Sequence, residues 1–148
     1  MPVAEYSQIV RAPFPIVWEQ LIEKARDPKK FLTICKESEL LEEGPGNRVI
    51  RRMVVNYGRP VDTVIVEEIV WDEATRLIDF IIIEHPSHSG HVTNQVDTKV
   101  AADGTEELWL TFKMDWTFKG QGADPLGPDV IKNGVIGSCA QIEKVASE

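Results

Sequence analysis

Between Glu107 and Phe118 the chain alternates without a break. Leu108, Leu110, Phe112, Met114, Trp116 and Phe118 fall on one side, and Trp109, Thr111, Lys113, Asp115 and Thr117 on the other. A period of two marks a strand with one buried face. Burying each large apolar side chain stabilises by about 1.5–3 kcal/mol before chain entropy is subtracted, so this face can anchor a sheet. The C-terminal segment is helical instead. From Val130 to Ala146, with Pro128 near the start, Ile131, Val135, Cys139 (or Ser138), Ile142 and Val145 share a stripe, and Gly134 and Gly137 lie on or beside it. A glycine inside a helix costs about 1 kcal/mol against alanine, so two within one turn need a reason. Close packing on a strand is one reason, and room for a bound molecule is the other.

The rest of the chain supplies the other layers. A short strand from Val3 to Val10 is turned by Arg11-Ala12-Pro13 into a helix with Pro15 at its start and Val17, Trp18, Leu21, Ile22 and Ala25 on its apolar face. Asp27-Pro28 stops it, and Lys29 to Leu32 adds a short second helical turn. Strands are predicted at Lys36–Glu43, Arg48–Tyr57, Val61–Trp71, Arg76–His85, His91–Ala102 and Glu106–Phe118, separated by turns rich in Gly, Pro, Asn and Asp. These links are too short for parallel crossovers, which take a dozen or more residues. The product is an α+β domain: a curved antiparallel sheet of about seven strands, two short helices after the first strand, and a long C-terminal helix. At 148 residues the whole chain fits a single domain.

Charge and composition exclude several partners. A net charge of -8 and no basic patch larger than Arg51-Arg52 or Lys29-Lys30 argue against nucleic acid and anionic lipid surfaces. Cys35 and Cys139 lie far apart, with neither the spacing of a zinc site nor a disulfide framework, and are expected to stay reduced. No long apolar segment suggests a secretion signal or a membrane span, so the expected location is the cytoplasm.

Several motifs carry a resemblance. The turn Glu43-Gly44-Pro45-Gly46-Asn47 ahead of a strand, the Val17-Trp18-Glu19-x-Leu21 helix and the long C-terminal helix resemble the helix-grip fold of the START and Bet v 1-like (pathogenesis-related class 10) superfamily, of SRPBCC type. Arg76-Leu77-Ile78, His85-Pro86 and Gly90-His91-Val92-Thr93-Asn94 are similar to a bacterial and fungal branch of it, the AtaL-like domain family, which is related to a component of a fungal secondary-metabolite pathway. The resemblance spans essentially the whole chain. It implies a sheet wrapped on the C-terminal helix around a roomy cavity for hydrophobic ligands such as lipids, steroids, plant hormones or polyketides. Some relatives cyclise or dehydrate polyketides. The branch brings no assigned catalytic residues.

Candidate lining residues follow from strand faces. On His91–Ala102 the core set is Val92, Asn94, Val96, Thr98 and Val100. Asn94 is then a buried amide that needs a backbone, water or ligand partner. Setting Val100 and Leu108 on one face requires an odd loop or a glycine bulge at Asp103-Gly104. On Arg76–His85, Ile78, Phe80 and Ile82 point inward, which leaves Asp79 on the surface; were it inside, it would be a candidate general acid. Arg51 shares a face with Val49, Met53, Val55 and Tyr57. A guanidinium there is an internal ion pair with Glu67 or another acid, a solvated edge group, or the anchor of an anionic ligand headgroup together with Tyr57. Phe112, Met114, Trp116, Ile131 and Val135 would form the apolar wall.

Other constellations carry less chemistry. His85, His88 and His91 sit in one Pro/Ser/Gly-rich stretch that reads as a solvated loop, with a pocket-rim role or metal binding as alternatives; no metal site and no cofactor is expected. Gly44-Pro45-Gly46 lacks the Lys-Ser/Thr and following helix of a P-loop and reads as a hairpin turn. Neither Ser38 nor Ser87 sits in a nucleophile elbow. The leading function is binding or carriage of a small hydrophobic or aromatic molecule. A polyketide cyclase, dehydratase or lyase using Arg51, Tyr57, Asn94 and Asp79 is the alternative, and a protein-interaction module with a filled core is the third. Nothing in the sequence fixes an oligomeric state.

Overall fold

Alternation in sequence becomes alternation in space. The computed structural model describes residues 4–148, and among these seven strands form one antiparallel sheet. They are β1 (Ala4–Val10), β2 (Cys35–Glu43), β3 (Arg48–Val55), β4 (Thr63–Asp72), β5 (Leu77–Glu84), β6 (His88–Val100) and β7 (Glu106–Phe118). Val3, the expected start of the first strand, lies outside the described residues. The spatial order β1-β7-β6-β5-β4-β3-β2 is a meander whose first strand returns to lie beside its last. On β7 the side chains of Leu110, Phe112, Met114 and Trp116 are buried, as the period of two requires.

Helix α1 spans Phe14–Arg26, a short 3-10 helix spans Pro28–Lys30, and helix α2 spans Asp129–Ala146. Pro15 occupies the first turn of α1, where its missing N–H leaves nothing unpaired. Helix α2 lies against β1 and β7 and touches α1. Ile131, Gly134, Val135, Ser138, Cys139 and Ile142 form its buried face. Its two glycines differ in what surrounds them. A Cβ on Gly137 would lie 2.6 Å from the Phe31 carbonyl oxygen, so that glycine serves close packing on backbone. A Cβ on Gly134 would meet the Phe112 ring at 3.4 Å, an ordinary contact beside open space.

The turn between β6 and β7 is odd, as the shared face of Val100 and Leu108 requires. Ala101 N–H donates to the Thr105 carbonyl at 2.8 Å, and Gly104 takes φ +87°. The core does not reach that far, however. Val100 is 70% exposed and Thr98 is exposed, because the ends of β6 and β7 overhang the helices. At its other end β6 starts earlier than expected. His88, Ser89 and Gly90 pair with Phe118, Thr117 and Trp116 instead of forming a loop. Gly90, at φ +115°, is obligatory there, because a Cβ would fall 2.0 Å from the Asp115 carbonyl oxygen.

Candidate functional site

Strand register converges one set of side chains on the inner face. Arg51 stands directly opposite Glu67 across β3 and β4. Phe80 faces Val92 across β5 and β6, and Val92 and Asn94 face Met114 and Phe112 across β6 and β7. With Met53, Tyr57 and Trp116 on the sheet side, and Val130, Ile131 and Gly134 on α2, they enclose a hollow of about 100 Å³. Leu32, Ile34, Tyr57, Val130 and Gly134 also line an adjoining outer chamber of about 240 Å³, walled further by Arg59, Pro125, Leu126 and Asn133. Together the two reach the lower end of the volume range of small-molecule sites, about 300–1,000 Å³. The inner part is ring-sized, smaller than the lipid-sized space that the resemblance implies.

A polar cluster sits in this apolar wall. Lys24, two residues before the end of α1, is 4% exposed. Its Nζ donates to Asn94 Oδ1 and lies 4.0 Å and 4.9 Å from the ring centres of Phe112 and Phe80. Arg51 donates from Nη2 to Glu67 Oε1 at 2.7 Å and from Nη1 to the carbonyls of Lys24 and Ala25 at 2.9 and 3.1 Å. The guanidinium therefore ties down the C-terminal turn of α1, whose last carbonyls lack partners within the helix. Burial, and secondarily the Arg51 charge, push the Lys24 ammonium well below its usual range, against opposing contributions from Glu67 and Cys139. Tyr57 is pushed up by burial and by Glu67.

Three of the lining residues carry buried N–H groups with no acceptor among the described residues: Arg51 Nε, Asn94 Nδ2 and Trp116 Nε1. A buried unpaired donor costs about 1–3 kcal/mol. Three of them would take a large share of a net stability of about 5–15 kcal/mol.

Of the residues singled out from sequence, Arg51, Tyr57, Phe80, Asn94, Phe112, Met114, Trp116 and Ile131 come together here. Ile82 and Val135 do not. Ile82 lies at a register shift, opposite Glu67 and beside an exposed Ile83, and packs at the core's edge. Val135 is fully covered by core neighbours. Asp79 faces outward and pairs with His91 Nδ1 at 2.7 Å. Arg51 is both an internal ion pair and a wall residue. Lys24 was missed. Its sequence signal was a charged residue three places after Leu21 and next to Ala25, on the buried stripe of an amphipathic helix.

The solvated-loop reading of the histidine stretch is corrected, while the alternative of a pocket rim fits His85 and His88, which line a pocket with Tyr57 and Leu126. His85 and His88 are buried at 8% and 1% exposure, and only His91 is solvated. The cause is that β5 and β6 part beyond the Ile81–His91 pair, which lets the intervening segment fold onto Trp116 and Phe118. The His85 and His88 rings meet edge-on at 5.0 Å. His85 Nδ1 accepts from the backbone N–H groups of Ser87 and His88, each at 3.0 Å. His88 is bonded at both nitrogens, to Ser87 Oγ at 2.8 Å and to Asp124 at 2.9 Å. Burial, then the charges of His88 and Lys119, lower His85 to about 4. Among the described residues no group of three or more His, Cys, Asp or Glu is placed to hold a metal ion. Burial pushes the Cys139 thiol up to about 12, which leaves it inert as a nucleophile.

Known proteins share this fold. The family model described as AtaL, acetylaranotin biosynthesis cluster protein L, matches residues 14–126. The Zhui aromatase/cyclase from Streptomyces sp. R1128 superposes with a TM-score of 0.68 at 21% identity, over 97% of this chain and 92% of that one. TTHA0849 from Thermus thermophilus gives 0.72 at 14% identity, covering 97% and 98%. Ara h 8.0201 gives 0.59 at 18% identity, covering 97% and 95%. At these identities the likeness is one of fold, the helix-grip fold. No curated protein sequence matches the chain. Among the described residues no helix is long and apolar enough to cross a membrane.

Proposed function

The chain belongs to the AtaL family, and on that premise we propose that it binds a small aromatic or otherwise apolar molecule bearing oxygen acceptors in the hollow between sheet and C-terminal helix. The observation that carries this reading is the set of unpartnered donors on Arg51, Asn94 and Trp116 in a wall otherwise built from Phe80, Phe112, Met114 and Ile131. Apolar walls supply affinity by excluding water, and a few placed donors supply orientation. Donors alone, without a matching acceptor, select carbonyl, phenolate or carboxylate oxygens over plain hydrocarbons.

Native mass spectrometry of protein purified from its own host tests this. A copurifying oxygenated organic molecule, released on unfolding, is expected. Bare protein that also fails to bind aromatic ketones saturably contradicts it.

A second reading, a cyclase- or dehydratase-like enzyme acting on such a ligand, has one specific observation in its favour. Arg51, Tyr57 and Asn94 line the same hollow as a buried lysine, so polar groups converge on one space. Turnover of a linear polyketone into an ultraviolet-absorbing aromatic product would support it, and recovery of unchanged ligand would leave carriage alone.

A further inference from the structure

Lys24 occupies one of the most shielded positions in the hollow, at 4% exposure. Methionine would fill the same stripe of α1 without burying an amine. The groups around its Nζ are Asn94 from β6, Arg51 from β3, Glu67 from β4, Cys139 from α2, and the rings of Phe80 and Phe112. Glu67 is already engaged by Arg51 at 2.7 Å, so it is not free to hold an ammonium at this point. The two aromatic faces favour the charged form. Burial and the adjacent guanidinium oppose it and prevail. An amine stripped of water beside a second cation is the arrangement that leaves a lysine with its lone pair free.

We propose that Lys24 captures a carbonyl carbon of the bound molecule as an imine, which makes aldehydes and ketones the substrate class of this hollow. This inference rests on the ligand-binding reading above. The Nζ lone pair forms a bond to the carbonyl carbon while the π electrons move to oxygen. The oxygen takes both amine protons and leaves as water, and the nitrogen lone pair completes the C=N bond. Atoms balance as amine plus carbonyl giving imine plus water, with no other reactant. Asn94 Oδ1, which accepts from Nζ, orients the amine as a positioning residue, and its unpartnered Nδ2 offers a donor to the departing oxygen.

Reductive trapping decides the matter. Full-length protein is incubated with 4-hydroxybenzaldehyde and cyanoborohydride at neutral pH, and adducts are mapped by peptide mass spectrometry. Labelling at Lys24 is expected to run about tenfold or more ahead of any exposed lysine, because those are protonated at this pH. Its rate should level off at lower pH than theirs. Lys24→Arg should abolish that adduct and leave the slow surface background, and Lys24→Met serves if the arginine variant does not fold. Parallel tryptophan fluorescence without reductant reports binding alone. Saturable quenching with no preferential adduct at Lys24 overturns the imine and leaves the binding reading standing. Neither quenching nor adduct overturns both.

Discussion

Two buried polar clusters share the sheet's inner side and differ in how their groups are satisfied. Around His88 both ring nitrogens are bonded and aromatic rings pack at about 5 Å separations, while the neighbouring His85 accepts two backbone N–H groups at Nδ1 and leaves its buried Nε2 without a partner among the described residues. Around Lys24 and Arg51 one salt bridge is complete, but donors remain open along a hollow. The first cluster holds a strand opening together. The second keeps open donors on Arg51, Asn94 and Trp116 among residues that line the hollow. Burial of polar residues alone therefore does not mark a site; what separates the two clusters is how many unmatched donors gather around one space, three beside the hollow against one at His85.

Breaking each cluster at its acid should separate them most. Glu67→Gln leaves Arg51 buried without a counter-charge and should cost about 3–5 kcal/mol in urea denaturation, whereas Asp124→Asn, at a partly exposed partner of His88, should cost about 1 kcal/mol. Equal losses would remove the distinction. The glycines of α2 sharpen it next. Gly137→Ala drives a methyl onto the Phe31 carbonyl and should destabilise by about 1–3 kcal/mol without changing the shape of the hollow. Gly134→Ala should leave stability within about 1 kcal/mol, since helix propensity improves, yet weaken ligand binding several-fold in a fluorescence titration.

Acid probes the histidine side. His85 ionises near 6.5 when unfolded and at about 4 when folded, so between these values the unfolded chain holds the extra proton. Stability from the neutral imidazole is thus nearly complete above pH 6.5 and is lost as pH falls towards 4, by about 3 kcal/mol. His85→Gln should flatten that component of a stability-against-pH series. The smallest effect belongs to the exposed pair. Asp79→Asn should change stability by under about 1 kcal/mol and ligand affinity not at all.

The fold was legible because long-range order rode on local pattern. The period-two run of β7 and short hairpin links dictate an antiparallel meander, and the odd turn at Gly104 follows from two same-face residues. Faces of β5 and β6 also placed Phe80 and Asn94 on the inner side, while the more apolar face of β3 carried Arg51 with its inward position left open. Sequence patterns stop at the ends of elements. Ile82 was lost to a register shift in β5, and Val100 to overhang beyond the helices. His85 and His88 carried loop composition, and only the parting of β5 from β6 buries them. Lys24 was invisible because a lone charge on an apolar stripe ordinarily snorkels to water, and its burial depends on Asn94, 70 residues away in the chain.

Nuclear magnetic resonance of the Trp116 indole and Asn94 amide N–H groups during titration with acetophenone, and with ethylbenzene as its oxygen-free match, tests the hollow most directly. Acetophenone should bind about tenfold more tightly and shift both resonances downfield as their donors find an acceptor. Equal affinity for the two compounds, or binding that leaves both resonances where they were, would contradict the assignment of this space as an acceptor-selecting ligand site.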